Sequence, residues 1–174
     1  FCRKNLKYMM SNTDIPLILI SNDDGYMAPG INALVDMLAP TGVRLLVCAP
    51  DGPRSGYSCA FSSELPLRLK PISRKDNVEI WACNGTPVDC VKLAIDRILG
   101  GKMPDMVIGG INHGDNSTVN NHYSGTMGIA KEGCMKYIPS VAFSSCYYNH
   151  DADLSPLAPY VRAIVAKVLD GGLP

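Results

Sequence analysis

Neither GxGxxG nor GxxxxGK[ST] occurs in this chain, which excludes the glycine-rich turn of a dinucleotide site and the phosphate cradle of a P-loop. The seven cysteines (Cys2, Cys48, Cys59, Cys83, Cys90, Cys134 and Cys146) form no CxxC pair, and the three histidines (His113, His122 and His150) show no ligand spacing. That pattern argues against zinc and a disulfide framework and for reduced, buried thiols. Charge of one sign is not in excess, with 16 Lys plus Arg against 16 Asp plus Glu, so no global field favours nucleic acid or an anionic membrane. Apolar runs fall short of the roughly 18 residues a membrane span needs. The basic start, Arg3, Lys4 and Lys7, is followed by no hydrophobic signal region. Together these absences predict a cytoplasmic protein that must hold any anion locally.

What is present is an ordinary globular composition, 47% hydrophobic and 18% charged, over a length of 174 residues that suits one domain. Residues 1–13 carry no convincing period and read as an N-terminal tail, leaving 14–174 as the folded unit. Strand-like and helical patterns then alternate: strand Leu17–Ser21, helix 30–38, strand 44–49, strand 106–110, helix 125–136 and strand 140–144. The alternation predicts an α/β fold, a three-layer α/β/α arrangement around a mostly parallel sheet. Residues 67–70 and Val78–Cys83 read as a β-hairpin insertion beside that sheet. A helix starts at Thr86-Pro87-Val88-Asp89, with Thr86 as N-cap, and directs Val88, Val91, Ile95 and Ile98 to the core. The last helix is expected from Ser155-Pro156 to Asp170, with Gly171 as its stop.

The first strand ends in Ser21-Asn22-Asp23-Asp24-Gly25, two adjacent carboxylates at the edge of a sheet where open α/β folds bind ligands. Asp-Asp-Gly reads either as a cation site or as a polar turn. Three further loops are rich in oxygen donors: 50–56 with Arg54 and Ser55, 109–116 with Asn112 and Asn116, and Tyr123-Ser124-Gly125-Thr126. Parallel strands would open the first three on one edge and start a helix at the fourth. Carboxylate, hydroxyl and amide oxygens suit a hard divalent cation such as Mg²⁺ or Mn²⁺, and Asp23, Asp24, Ser55 and Asn112 would leave positions open for water and substrate. Taken one at a time, Ser55 and Asn112 also read as residues that satisfy loop backbone. Ser124-Gly125-Thr126 reads as a helix start able to hold phosphate or as a plain N-cap. Arg54 is either a phosphate partner or a solvated arginine, and His113 and His122 are either proton donors or structural histidines.

Five motifs in one order carry a resemblance. They are Ile18-Leu19-Ile20-Ser21-Asn22-Asp23-Asp24-Gly25 with Ala28-Pro29-Gly30; Ala49-Pro50-Asp51 with Arg54-Ser55-Gly56; Asn84-Gly85-Thr86-Pro87 with Asp89-Cys90; Gly110-Ile111-Asn112-His113-Gly114-Asp115-Asn116; and Tyr123-Ser124-Gly125-Thr126. From Leu17 to Ser145 the chain resembles the SurE survival-protein family of metal-dependent 5'/3'-nucleotidases and acid phosphatases. The resemblance implies a Rossmann-like core, metal ligation by Asp23, Asp24, Ser55 and Asn112, and a homodimer or homotetramer. It also implies a further C-terminal hairpin and arm that this chain does not include. Thr118 and Asn120 stand where most relatives carry glycine and aspartate.

The expected function is hydrolysis of nucleoside 5'-monophosphates, with 3' also open, using one Mg²⁺ or Mn²⁺ ion. Asp23 and Asp24 are the catalytic candidates, and Asn22, Asn112, Asn116, Ser124, Gly125 and Thr126 are the substrate and phosphate candidates. Two other readings stay open at this point. One is a haloacid-dehalogenase-like phosphatase with an aspartyl-phosphate intermediate, which the adjacency of Asp23 and Asp24 disfavours. The other is a non-catalytic nucleotide- or metal-binding module.

Overall fold

The computed structural model describes residues 15–149 and 151–173. The expected tail, 1–13, lies outside the described residues, as do Cys2 and His150. The elements in chain order are β1 (Leu17–Ser21), α1 (Pro29–Leu38), β2 (Arg44–Pro50), β3 (Leu69–Lys75), β4 (Val78–Cys83), α2 (Pro87–Leu93), β5 (Met106–His113), α3 (Asn120–Tyr123), α4 (Gly125–Met135), β6 (Ser140–Ser145) and α5 (Ala158–Gly171). They form one sheet in the order β3-β4-β2-β1-β5-β6, parallel except for the antiparallel edge strand β3.

β1 lies at the centre, which explains why it is an unbroken apolar run rather than an alternating one: both its faces are covered. Ile18 and Ile20 pack with Ile31, Leu34 and Leu38 of α1 and Val161, Val165 and Val168 of α5. Leu19 faces the other way, toward Cys90 and Val91 of α2 and Ile129 of α4. All three β1 residues are fully buried, and each side chain contributes about 1.5–3 kcal/mol to folding. The α/β/α layering expected from the alternation is therefore present. No helix among the described residues is long and apolar enough to cross a membrane.

Several boundaries differ from expectation for identifiable reasons. β5 runs to His113 rather than ending at the Gly109-Gly110 pair, because pairing with β6 resumes at Asn112↔Ser144 after an irregularity. The hairpin is not beside the sheet but part of it, since β4 pairs in parallel with β2 while β3 caps the edge. β3 starts at Leu69 and contains Pro71, a residue that an edge strand accommodates. Thr86 caps α2 through a full capping box with Asp89. Beyond Leu93 the helix widens into a π turn, Ala94–Ile98, which rotates Ile98 partly out of the core. α5 begins after a 3₁₀ turn, Ser155–Leu157, and Gly172 with φ +74°, not Gly171, ends it. Cys48, Cys83 and Cys90 are buried as expected of free thiols, whereas Cys134 and Cys146 are exposed.

Candidate metal and phosphate centre

The sheet grows away from β1 in both directions, with β2 and β4 on one side and β5 and β6 on the other. Such a reversal opens a crevice outside the carboxyl ends of the strands. The register Ser21↔Gly109 aligns β1 and β5 so that Asp23 and Asp24 follow one strand as Asn112 completes the other.

The turn after β1 is built by Asn22. Its Nδ2 donates to the Gly25 carbonyl at 2.9 Å and its Oδ1 accepts from the Gly25 N–H at 3.1 Å. Gly25 sits at φ +104°, and a Cβ there would stand 3.3 Å from the Gly52 Cα, a position no side chain occupies without strain. The amide of Asn22, a phosphate candidate by sequence, is thus engaged within the turn that presents the two aspartates.

Asp23 is 6% exposed and its carboxylate meets the start of α4. The Thr126 hydroxyl donates to Asp23 Oδ1 at 2.5 Å, and a side chain on Gly125 would lie 2.7 Å from the Asp23 Cβ. Burial pushes the Asp23 carboxyl above the ordinary aspartate range; the Thr126 bond opposes this and the charge of Asp24 adds to it. The Gly125 N–H further favours the ionised form. Thr126, expected to hold phosphate, therefore uses its hydroxyl on Asp23.

Ser124 is the N-cap of α4, accepting from the Met127 N–H at 3.1 Å. Gly125 and Thr126 then occupy the first helical positions, where backbone N–H groups have no partner within the helix. On β5, Asn112 Nδ2 donates to the Gly114 carbonyl at 3.0 Å, so Oδ1 is the atom this side chain can offer a cation. Asn116 Nδ2 donates to Ser144 Oγ at 2.9 Å, holding the loop after β5 against the end of β6.

Ser55 is exposed on the loop that follows β2. The loop is drawn to Asp23 by the Arg54 N–H, which donates to the Asp23 carbonyl at 2.6 Å. The Arg54 guanidinium is not turned outward: it pairs with Asp51 at 2.8 Å and donates to the Pro53 carbonyl at 3.0 Å. Ser58, at φ +52°, donates from its N–H to the Tyr123 carbonyl at 3.2 Å and from its hydroxyl to the His122 carbonyl at 2.5 Å. His122 is exposed on α3 and enters this geometry through its backbone, while His113 ends β5 beside Gly30.

The contacts thus bring together Asp23, Gly125, Thr126 and the Ser55 loop, while strand register brings Asn112 alongside. The donor set is hard: two carboxylates, a hydroxyl and an amide oxygen. Among the described residues no group of three or more His, Cys, Asp or Glu side chains is placed to hold a metal, so a cation here depends on neutral oxygens as well as the aspartates. A divalent cation fits this centre because it would offset the burial and mutual repulsion that push up the Asp23 carboxyl. Sequence reasoning missed the residues that hold the Ser55 loop, Ser58 and the pair Ser62 and Asp89. Their partners lie far away in the chain, and only the Asn84-Gly85-Thr86-Pro87 motif hinted at them.

The geometry agrees with relatedness. The profile of the family described as Survival protein SurE matches residues 18–173. The chain is 52% identical over 159 residues to the 5'-nucleotidase SurE of Bacteroides thetaiotaomicron, covering 91% of this chain and 61% of that protein. Identity to the 5'-nucleotidase SurE of Porphyromonas gingivalis is 43% over 157 residues, covering 90% and 61%. The crystal structure of the SurE protein from Aquifex aeolicus superposes with a TM-score of 0.80 at 39% identity, over 91% of this chain and 62% of that one. The chain spans about 61% of the length of the curated relatives it matches. By sequence, by fold and by the order of its site loops, this chain belongs to the SurE family.

Proposed function

We propose that the protein is a phosphomonoesterase that hydrolyses nucleoside 5'-monophosphates to nucleoside and phosphate with one Mg²⁺ or Mn²⁺ ion, with 3'-monophosphates open as further substrates. Relatives covering most of this chain are named 5'-nucleotidases, which supports the reaction class. The observation that carries the reading is the buried Asp23 carboxylate set against the first turn of α4 and bonded to the Thr126 hydroxyl. Action in the cytoplasm as a homodimer or homotetramer belongs to the same proposal.

In this reading Asp23, Asp24, Ser55 and Asn112 hold the cation. The bound ion supplies charge neutralisation of the phosphate and lowers the pKa of a water. Thr126 fixes the Asp23 carboxylate in one orientation through the bond to Oδ1. Asp23, whose carboxylate is held at the end of β1 against α4, is the group that takes the proton of the attacking water. The backbone N–H groups of Gly125 and Thr126 line the positive end of α4 and favour an anion there. Ser124 keeps that helix start in place as its cap, and Asn116 braces the loop that carries Asn112. Most of the rate acceleration then comes from positioning and electrostatics.

The test is phosphate release from AMP with and without Mn²⁺. Release should require the ion and fall by roughly 100-fold or more in Asp23→Asn, the scale of losing one preorganised electrostatic contact. Equal release from the variant, or release indifferent to chelation, contradicts the assignment.

A further inference from the structure

A second aspartate, Asp89, is almost fully buried on α2 at 2% exposure, and the proposed chemistry makes no use of it. As the third residue of that helix it completes the capping box, its Oδ2 accepting from the Thr86 N–H at 2.9 Å while its own N–H donates to Thr86 Oγ1 at 3.1 Å. A cap needs no more than this. Yet the carboxylate also takes three bonds from Ser62, in the long loop after β2: the Ser62 N–H lies 3.0 Å from Oδ1 and 3.2 Å from Oδ2, and the Ser62 hydroxyl donates to Oδ2 at 2.7 Å. The Thr86 hydroxyl adds a bond to the Ala60 carbonyl at 2.7 Å. Lys92, one turn further along α2, lies 5.7 Å from the centre of the Phe61 ring and pairs with the buried Glu132 of α4 at 3.1 Å.

The loop so held is the one that carries Ser55. Its near end is fixed to the sheet, since the Asp51 N–H donates to the Cys83 carbonyl at 2.7 Å and the Arg54 N–H to Asp23 at 2.6 Å. Midway, Ser58 binds only backbone carbonyls of the exposed, four-residue α3. The far end, by contrast, is anchored to a helix whose Val88, Cys90 and Val91 are in the core. Gly85 makes this approach possible, because a side chain there would lie 2.7 Å from Asp89.

We propose that Asp89, acting through Ser62, is a positioning residue that fixes the loop bearing Ser55 over the metal centre. The proposal rests on the reading of Ser55 as a ligand, and it gives the Asn84-Gly85-Thr86-Pro87 and Asp89 motif a role in that centre. Residues that orient metal ligands from behind typically change metal affinity by about 10–100-fold.

The experiment titrates Mn²⁺ into the protein by electron paramagnetic resonance, for wild type, Ser62→Ala, Asp89→Asn and Asp23→Asn, with melting temperature and proteolysis of the 51–65 loop recorded alongside. Ser62→Ala leaves the capping box of α2 intact and removes only the hydroxyl link to the loop. The expected result is Mn²⁺ binding weakened about 10-fold in Ser62→Ala and more in Asp89→Asn, with faster cleavage in the loop. Unchanged Mn²⁺ affinity in a folded Ser62→Ala, while Asp23→Asn loses binding, overturns the positioning role and leaves the metal centre standing. Full Mn²⁺ affinity in Asp23→Asn overturns the metal centre and the positioning role together.

Discussion

Burial, the charge of Asp24 and the hydroxyl of Thr126 pull the Asp23 carboxyl in opposite directions, and the balance leaves its pKa above the ordinary value. A carboxyl whose pKa is raised by folding stabilises the native state below its unfolded pKa, and that contribution is lost as pH rises through the folded value. In metal-free protein Asp23→Asn should therefore stabilise at neutral pH, with the gain vanishing as pH falls and wild-type Asp23 protonates. Urea unfolding of both proteins at neutral and acid pH checks the sign. Thr126→Val removes the largest influence holding the Asp23 pKa down. The acid limb of the activity profile, where Asp23 must be ionised, should then move to higher pH. Thr126→Ser, which keeps the hydroxyl, should leave the limb in place.

Packing between elements is close where the loop after β2 crosses α4. A side chain on Gly128 would stand 2.2 Å from the Ser58 carbonyl, and the loop backbone would have to move. Gly128→Ala should destabilise by about 1–3 kcal/mol, the range for overpacking a fixed contact, and should weaken Mn²⁺ binding as Ser55 shifts. Denaturant midpoints and Mn²⁺ titration measure the two effects. At this scale the sequence is legible where local pattern decides the outcome: the apolar run of β1, the Thr86 cap and the Ser124 cap each declare themselves within a few residues. It is less legible where distant partners decide. Gly109-Gly110 punctuates β5 locally, yet β6 pairs beyond it to His113. The extended segment expected at 67–70 keeps only its last two residues as strand, because β4 pairs with Leu69–Lys75. Within the site, Asp23, Asp24, Ser55 and Asn112 stand out as oxygen donors at strand ends, but nothing local shows that the Thr126 hydroxyl goes to Asp23 or that the Asn22 amide closes a turn. Ser62 and Asp89 meet across 27 positions of sequence, a contact no periodicity encodes.

Taken as a whole molecule, one sheet carries two faces of helices and gathers every candidate site loop at the carboxyl edge, around the reversal of strand order at β1 and β5. A cation bound there links the end of β1, the end of β5 and the Ser55 loop, so it should stabilise the entire fold. At a Mn²⁺ concentration of 100 Kd the gain should be about 2.7 kcal/mol, read as a rise in melting temperature that Asp23→Asn abolishes. The most direct test of the centre itself is anomalous diffraction from crystals soaked in Mn²⁺. A single strong peak in coordination contact with Asp23, Asp24, Ser55 and Asn112 is the predicted result. A peak elsewhere, or none with the ion in excess, would contradict it.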